Sequence, residues 1–155
     1  MKKINLAITG CFGRMGQQLI KSIKTNKNFK IVALTESKPH NQKIFGIKLN
    51  LNNEQAFKKT DIIIDFTIPK CTLDILKIAT TLKKRVVIGT TGFTQKEEAL
   101  IKKFSKKIPI LKAGNMSLGV NLLMYLTEIT SKSLNEKSNP SIKKFFQKAK
   151  NFWKN

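Results

Sequence analysis

Histidine is nearly missing from this chain: His40 is the only one in 155 residues. A zinc site and a Ser-His-Asp triad are both poorly supplied as a result. The two cysteines, Cys11 and Cys71, are too few for a disulfide framework and lack metal-ligand spacing, so no metal is expected. Long apolar runs are also absent. Behind Lys2 and Lys3, the stretch from Ile4 to Ile8 is too short for a signal peptide, and no run approaches the roughly 20 residues of a spanning helix. A soluble, cytoplasmic chain is the expectation. Acidic residues are the last scarcity, 9 against 30 Lys and Arg, for a net charge of +21.

Such an excess favours nucleic acid or anionic membrane and speeds the encounter with phosphorylated ligands. The positive residues are mostly lysines scattered along every segment, among many Asn and Ile, a pattern that AT-rich coding also produces. No basic motif interleaved with aromatics, such as an RRM signature, accompanies them. The charge therefore reads as a solvated basic surface, and nucleic acid is not the expected partner.

What is present alternates. The length suits one domain. Apolar runs at 4–9, 29–36, 61–67, 85–91 and 108–114 read as strands, and 61–67 carries the uninterrupted Ile62 to Ile64 of a strand covered on both faces. Between them, Met15, Leu19 and Ile23 fall at helical spacing, Pro69 suits the first turn of a helix to about Leu82, and Thr94 with Glu97 forms a capping box for a helix through about Lys106. A further helix is expected over 119–134. Residues 37–53 read as loop with one short strand near 44–49. Strands alternating with helices of this length predict βαβ units: an α/β fold with a doubly wound parallel sheet.

"AITGCFGRMGQQL" then places Gly10, Gly13 and Gly16 between the first strand and the first helix. The first glycine permits a tight turn, the second lets backbone approach a pyrophosphate, and the third lets the helix pack on the strand. First-turn N–H groups would point at the phosphates, and Arg14 could reach one as well. Glu36 ends the second strand about 20 residues beyond Gly16, where a dinucleotide fold sets an acid to accept the ribose hydroxyls. The acid, with Ser37 and Lys38 after it and no adjacent arginine, favours NADH over NADPH, although Lys38 offers a 2′-phosphate one cation. "GTTGF" (89–93) and "AGNMSLG" (113–119) follow later strands at their carboxyl ends. On physical grounds alone they are ordinary turns as often as ligand contacts.

"GCFGRMG", "DFTIP" (65–69), "VIGTTGF" (87–93) and "AGNMSLGVN" (113–121), in this order and spacing, resemble the 4-hydroxy-tetrahydrodipicolinate reductase family. The resemblance covers about residues 1–134. It implies a Rossmann-like dinucleotide-binding domain of an NAD(P)H-dependent oxidoreductase in diaminopimelate and lysine biosynthesis, acting on a cyclic dicarboxylate. It implies that Gly10, Cys11, Phe12, Gly13, Arg14 and Met15 cradle the pyrophosphate and that Glu36 holds the adenosine ribose. Gly89, Thr90 and Thr91, with Ala113, Gly114, Asn115 and Met116, would frame the nicotinamide.

The family's second domain carries a paired-histidine and lysine motif followed by P-S-G-T, which binds substrate and donates the proton. It also carries most of the tetramer contacts. Nothing after Leu134 matches it, and His40 lies on the adenosine side. The expectation is a cofactor-binding half, 1–134, without catalytic residues of its own and inactive alone, or else a non-enzymatic NAD(P)-binding module. Residues 135–155 form a basic tail in which Ile142, Phe145, Phe146, Ala149, Phe152 and Trp153 fall at helical spacing, as for a terminal helix laid on the domain or a helix on a membrane surface or partner.

Overall fold

The computed structural model describes residues 3–39 and 41–133. His40 and the tail helix expected over 140–154 lie outside the described residues. The chain falls into two units, Met1–Lys112 and Ala113–Asn155.

The first unit is built on a seven-stranded sheet. Its elements are β1 (Ile4–Thr9), α1 (Arg14–Lys24), β2 (Phe29–Glu36), β3 (Lys43–Ile44), β4 (Ile47–Leu51), α2 (Glu54–Phe57), β5 (Ile62–Asp65), α3 (Pro69–Thr81), β6 (Arg85–Ile88), α4 (Gln95–Ser105) and β7 (Ile110–Lys112). The strand order is β3-β4-β2-β1-β5-β6-β7. Every pairing is parallel except β3 with β4. From β1 the chain winds outward through β2 to β4, then returns to β5 on the other side of β1. The switch point therefore lies between β1 and β5, which run in register from Leu6–Ile62 to Thr9–Asp65.

Alternation along the strands feeds two cores, one on each face. Ala7, Ala33, Ile63, Val86 and Ile88 pack with Ile75, Leu76 and Ala79 of α3 and Ile101 of α4. Leu6, Ile8, Leu34 and Leu49 pack with Ile20 and Ile23 of α1. The sheet is thus doubly wound, as the alternating pattern predicts.

The structure departs from the sequence reading in four places. The contact line of α1 runs through Gly16, Ile20 and Ile23, while Met15 is exposed, because Gly16 sits hard against β1's turn and sets the helix's rotation. The region read as one short strand is a hairpin, β3 and β4, turned by Phe45 at φ 50° and Gly46 at φ 77°. The short α2, capped by Asn53 accepting from Ala56 N–H at 2.9 Å, has too few residues to show a period. Strands β5, β6 and β7 also end earlier than their apolar runs suggest, leaving Phe66–Ile68, Gly89–Phe93 and Ala113 onward for loops.

The second unit contains α5 (Leu118–Ser133), close to the helix expected over 119–134. Leu122, Leu123, Tyr125, Leu126 and Ile129 are exposed on it. No helix among the described residues is long and apolar enough to cross a membrane.

Candidate dinucleotide site

Why the first loop needs glycine is visible in its backbone. Gly10 has φ +63°, and a Cβ on it would come within 2.8 Å of the Thr67 methyl carbon. A Cβ on Gly16 would lie 2.3 Å from the Gly10 carbonyl oxygen, so only glycine lets α1 approach β1 this closely. Gly13 is the N-cap of α1 in extended conformation, and no side chain caps that end. The turn's own donors are taken by the protein: Gly10 N–H and Cys11 N–H donate to Thr35 O on β2, and Gly13 N–H donates to Gly10 O. Helix hydrogen bonding begins with Gln17 N–H to Gly13 O. The uncapped donors are therefore those of Arg14, Met15 and Gly16, at the positive end of the helix. Residues 10–13 thus shape the turn, and donors for a ligand would come from the residues that follow.

Glu36 stands at the end of β2, beside this loop. Its Oε1 accepts the Phe12 N–H at 2.8 Å, tying the acid to the glycine turn. The Cys11 thiol lies within electrostatic reach of Glu36. Burial first, and then that carboxylate, push the thiol up to about 12. Cys11 is fully buried, so its part is to fill the underside of the turn.

Across the switch point lie the loops after β5 and β6. Thr90, a nicotinamide contact by the resemblance, has its side chain buried and bonded inward. Its Oγ1 accepts from Thr67 N–H at 2.9 Å and donates to Asp65 Oδ2 at 3.2 Å. What Thr90 offers outward is backbone. Gly89 has no room for a Cβ, which would sit 2.0 Å from the Phe66 ring, and its N–H donates to Asp65 O at 2.8 Å. Thr91 is exposed at the loop's surface, and Gly92 takes φ +83°. Sequence reasoning singled out no role for Asp65, Thr67 or Thr72. The signal was available in a lone acid closing an otherwise apolar strand among threonines.

Ala113, Gly114, Asn115 and Met116 belong to the second unit. There Asn115 Oδ1 accepts Ser117 N–H at 2.9 Å, and Ser117 Oγ accepts Val120 N–H at 3.4 Å. The segment thus starts α5 with a side-chain cap. Among the described residues no group of three or more His, Cys, Asp or Glu is placed to hold a metal.

Sheet order, glycine turn and uncapped helix end together define the class: a doubly wound, Rossmann-like α/β domain. The model of "Dihydrodipicolinate reductase, N-terminus" matches residues 4–116, and the chain belongs to that family. It is 83% identical over 136 residues to the 4-hydroxy-tetrahydrodipicolinate reductase of Pelagibacter ubique (strain HTCC1062), covering 88% of this chain and 53% of that one. It is 39% identical over 160 residues to the enzyme of the same name from Buchnera aphidicola subsp. Acyrthosiphon pisum (strain 5A), covering 96% of this chain and 60% of that one. The chain thus spans about half to three fifths of the curated relatives it matches. Its fold also matches the dipicolinate-bound dihydrodipicolinate reductase from Paenisporosarcina sp. TG-14 (TM-score 0.71, 20% identity, 99% of this chain and 67% of that one).

Proposed function

We propose that this chain binds a nicotinamide dinucleotide and serves as the cofactor-holding part of a 4-hydroxy-tetrahydrodipicolinate reductase, in the lysine and diaminopimelate route. The observation that carries the reading is the Glu36–Phe12 hydrogen bond. It places a carboxylate able to accept two ribose hydroxyls directly beside an uncapped helix N-terminus able to hold a pyrophosphate. The two fit adjacent parts of one ligand.

The bound cofactor would supply a hydride to a cyclic imine-type bond of a dicarboxylate substrate. The described residues bind and orient. Arg14, Met15 and Gly16 donate N–H groups to phosphate, and Glu36 accepts from the adenosine ribose. The backbone of Gly89–Thr91 borders the nicotinamide half. Glu36 also favours NADH, since a 2′-phosphate would meet a carboxylate; Lys38, two residues on, offers that phosphate one cation.

Calorimetry tests the reading. NADH should bind the parent chain, and both Gly13→Val and Glu36→Ala should weaken it by about tenfold or more, the scale of one charged hydrogen bond lost. Ser37→Arg should move preference toward NADPH. Parent-like binding by both loop variants would place the cofactor elsewhere, and a strong NADPH preference in the parent would overturn the assignment of NADH.

A further inference from the structure

One buried carboxylate is left unused by that account. Asp65 closes β5 with no exposed surface, and neither the Lys77–Asp74 nor the Lys112–Glu98 ion pair involves it. Four threonine hydroxyls surround it instead. Thr9 and Thr67 donate to Oδ1 at 2.6 and 2.7 Å; Thr72 and Thr90 donate to Oδ2 at 2.5 and 3.2 Å. The four come from β1, the β5–α3 loop, α3 and the β6–α4 loop. They fill the four acceptor positions of a carboxylate.

A buried carboxyl group held by neutral hydroxyls contributes little to stability compared with an apolar residue of similar size. What it gives is geometry. Asp65 is the register partner of Thr9 across the β1–β5 pair, so the cage straddles the switch point where doubly wound sheets take their ligands. Each donor fixes a different piece of that crevice. Thr67 presents its methyl group to Gly10 of the glycine turn. Thr90 bridges Asp65 to the Thr67 N–H, locking the loops after β5 and β6 to one another. The Phe66 ring against Gly89 and the Gly89 N–H on Asp65 O hold the same junction from the backbone side.

We infer that Asp65 is a positioning residue: through Thr67 and Thr90 it sets the two loops that receive the nicotinamide half of the dinucleotide. The inference rests on the cofactor reading above. Glu36 on β2 takes the adenosine side, so the other half of the ligand must extend across the switch point, over the ends of β5 and β6.

ADP-ribose separates positioning from mere support, because it carries the adenosine, ribose and pyrophosphate but no nicotinamide. Thr90→Val keeps the shape and removes the bridge; Thr90→Ser keeps the hydroxyl. The parent should bind NADH more tightly than ADP-ribose and enhance the fluorescence of the bound reduced nicotinamide. Thr90→Val should lose about tenfold in NADH affinity and most of that enhancement, with ADP-ribose affinity unchanged, and Thr90→Ser should restore both. Asp65→Asn should follow Thr90→Val if it folds, and the Thr90 pair decides the matter if it does not. The inference is overturned if Thr90→Val binds NADH like the parent, if both ligands weaken together, or if the parent holds NADH no tighter than ADP-ribose. A parent that binds neither ligand overturns the cofactor reading itself, and this inference with it.

Discussion

Cys11 shows how one residue records its surroundings. It sits under the glycine turn with no exposure, and burial together with Glu36 raises its thiol from an ordinary 9.0 to about 12. Cys71, half-buried, is also raised, chiefly by burial. A thiol whose folded pKa lies above its unfolded one is bound to its proton more firmly in the native state. Its stabilising contribution is complete below about pH 9 and is lost as the pH climbs toward about 12, where the unfolded chain holds fewer protons. Denaturant unfolding at a series of pH values should show stability falling across that window. The fall should be shallower in Cys11→Ala, and taking the difference between the two proteins cancels the lysines. Equal slopes would mean that Cys11 is not held as a protonated thiol. The same geometry predicts that native Cys11 resists alkylation at pH 8 and reacts only on unfolding.

At the scale of elements, the sequence was most legible where period and punctuation agree. The glycine turn, the Pro69 start of α3 and the capping box of α4 each have a local cause that can be read from residue types. The box is complete, with Glu97 N–H on Thr94 Oγ1 and Thr94 N–H on Glu97 Oε2. Legibility failed where the cause was tertiary. The rotation of α1 is set by the Gly16–Gly10 contact, which a helical wheel does not contain. The Asp65 cage gathers residues from four segments, so no short window shows it. The β3–β4 hairpin was hidden by its turn: Phe45-Gly46 replaces the usual Asn-Gly of a two-residue loop with both central residues at positive φ. Phe45 keeps that strained position under Lys24, whose Nζ lies 4.1 Å from the ring centroid. Gly46 has no atom within 4 Å of a would-be Cβ, so Gly46→Ala tests backbone strain with no steric confusion. A loss of about 1 kcal/mol in denaturant unfolding is expected. No loss would mean that the hairpin turns by another geometry.

At the scale of the whole molecule, charge dominates. Thirty lysines and arginines face nine acids, so most of those cations have no acid to pair with. The ion pairs seen are modest: Lys77–Asp74 is an exposed contact within α3, and Lys112–Glu98 joins β7 to α4. Exposed pairs contribute about 0–1 kcal/mol each, too little to offset self-repulsion at +21. Salt acts on that repulsion directly, because the screening length contracts from about 30 Å at 0.01 M to about 8 Å at 0.15 M. The folded chain holds its cations closer together than the unfolded one and gains more from screening. The melting temperature should therefore rise when sodium chloride is raised between those concentrations. Binding should respond with the opposite sign. A dinucleotide brings negative phosphates to a positive surface, so the same added salt should weaken NADH affinity while the protein becomes more stable. The two responses distinguish a generally basic surface from a local phosphate site. If charge reaches the ligand only through the diffuse field, Arg14→Gln should leave the salt dependence of NADH affinity intact. If the helix N-terminus and Arg14 meet the pyrophosphate directly, Arg14→Gln should lower the affinity and flatten that dependence, while the rise in melting temperature persists. A melting temperature that falls with salt would show that attractive pairs outweigh the repulsion, and would reverse this account of the charge.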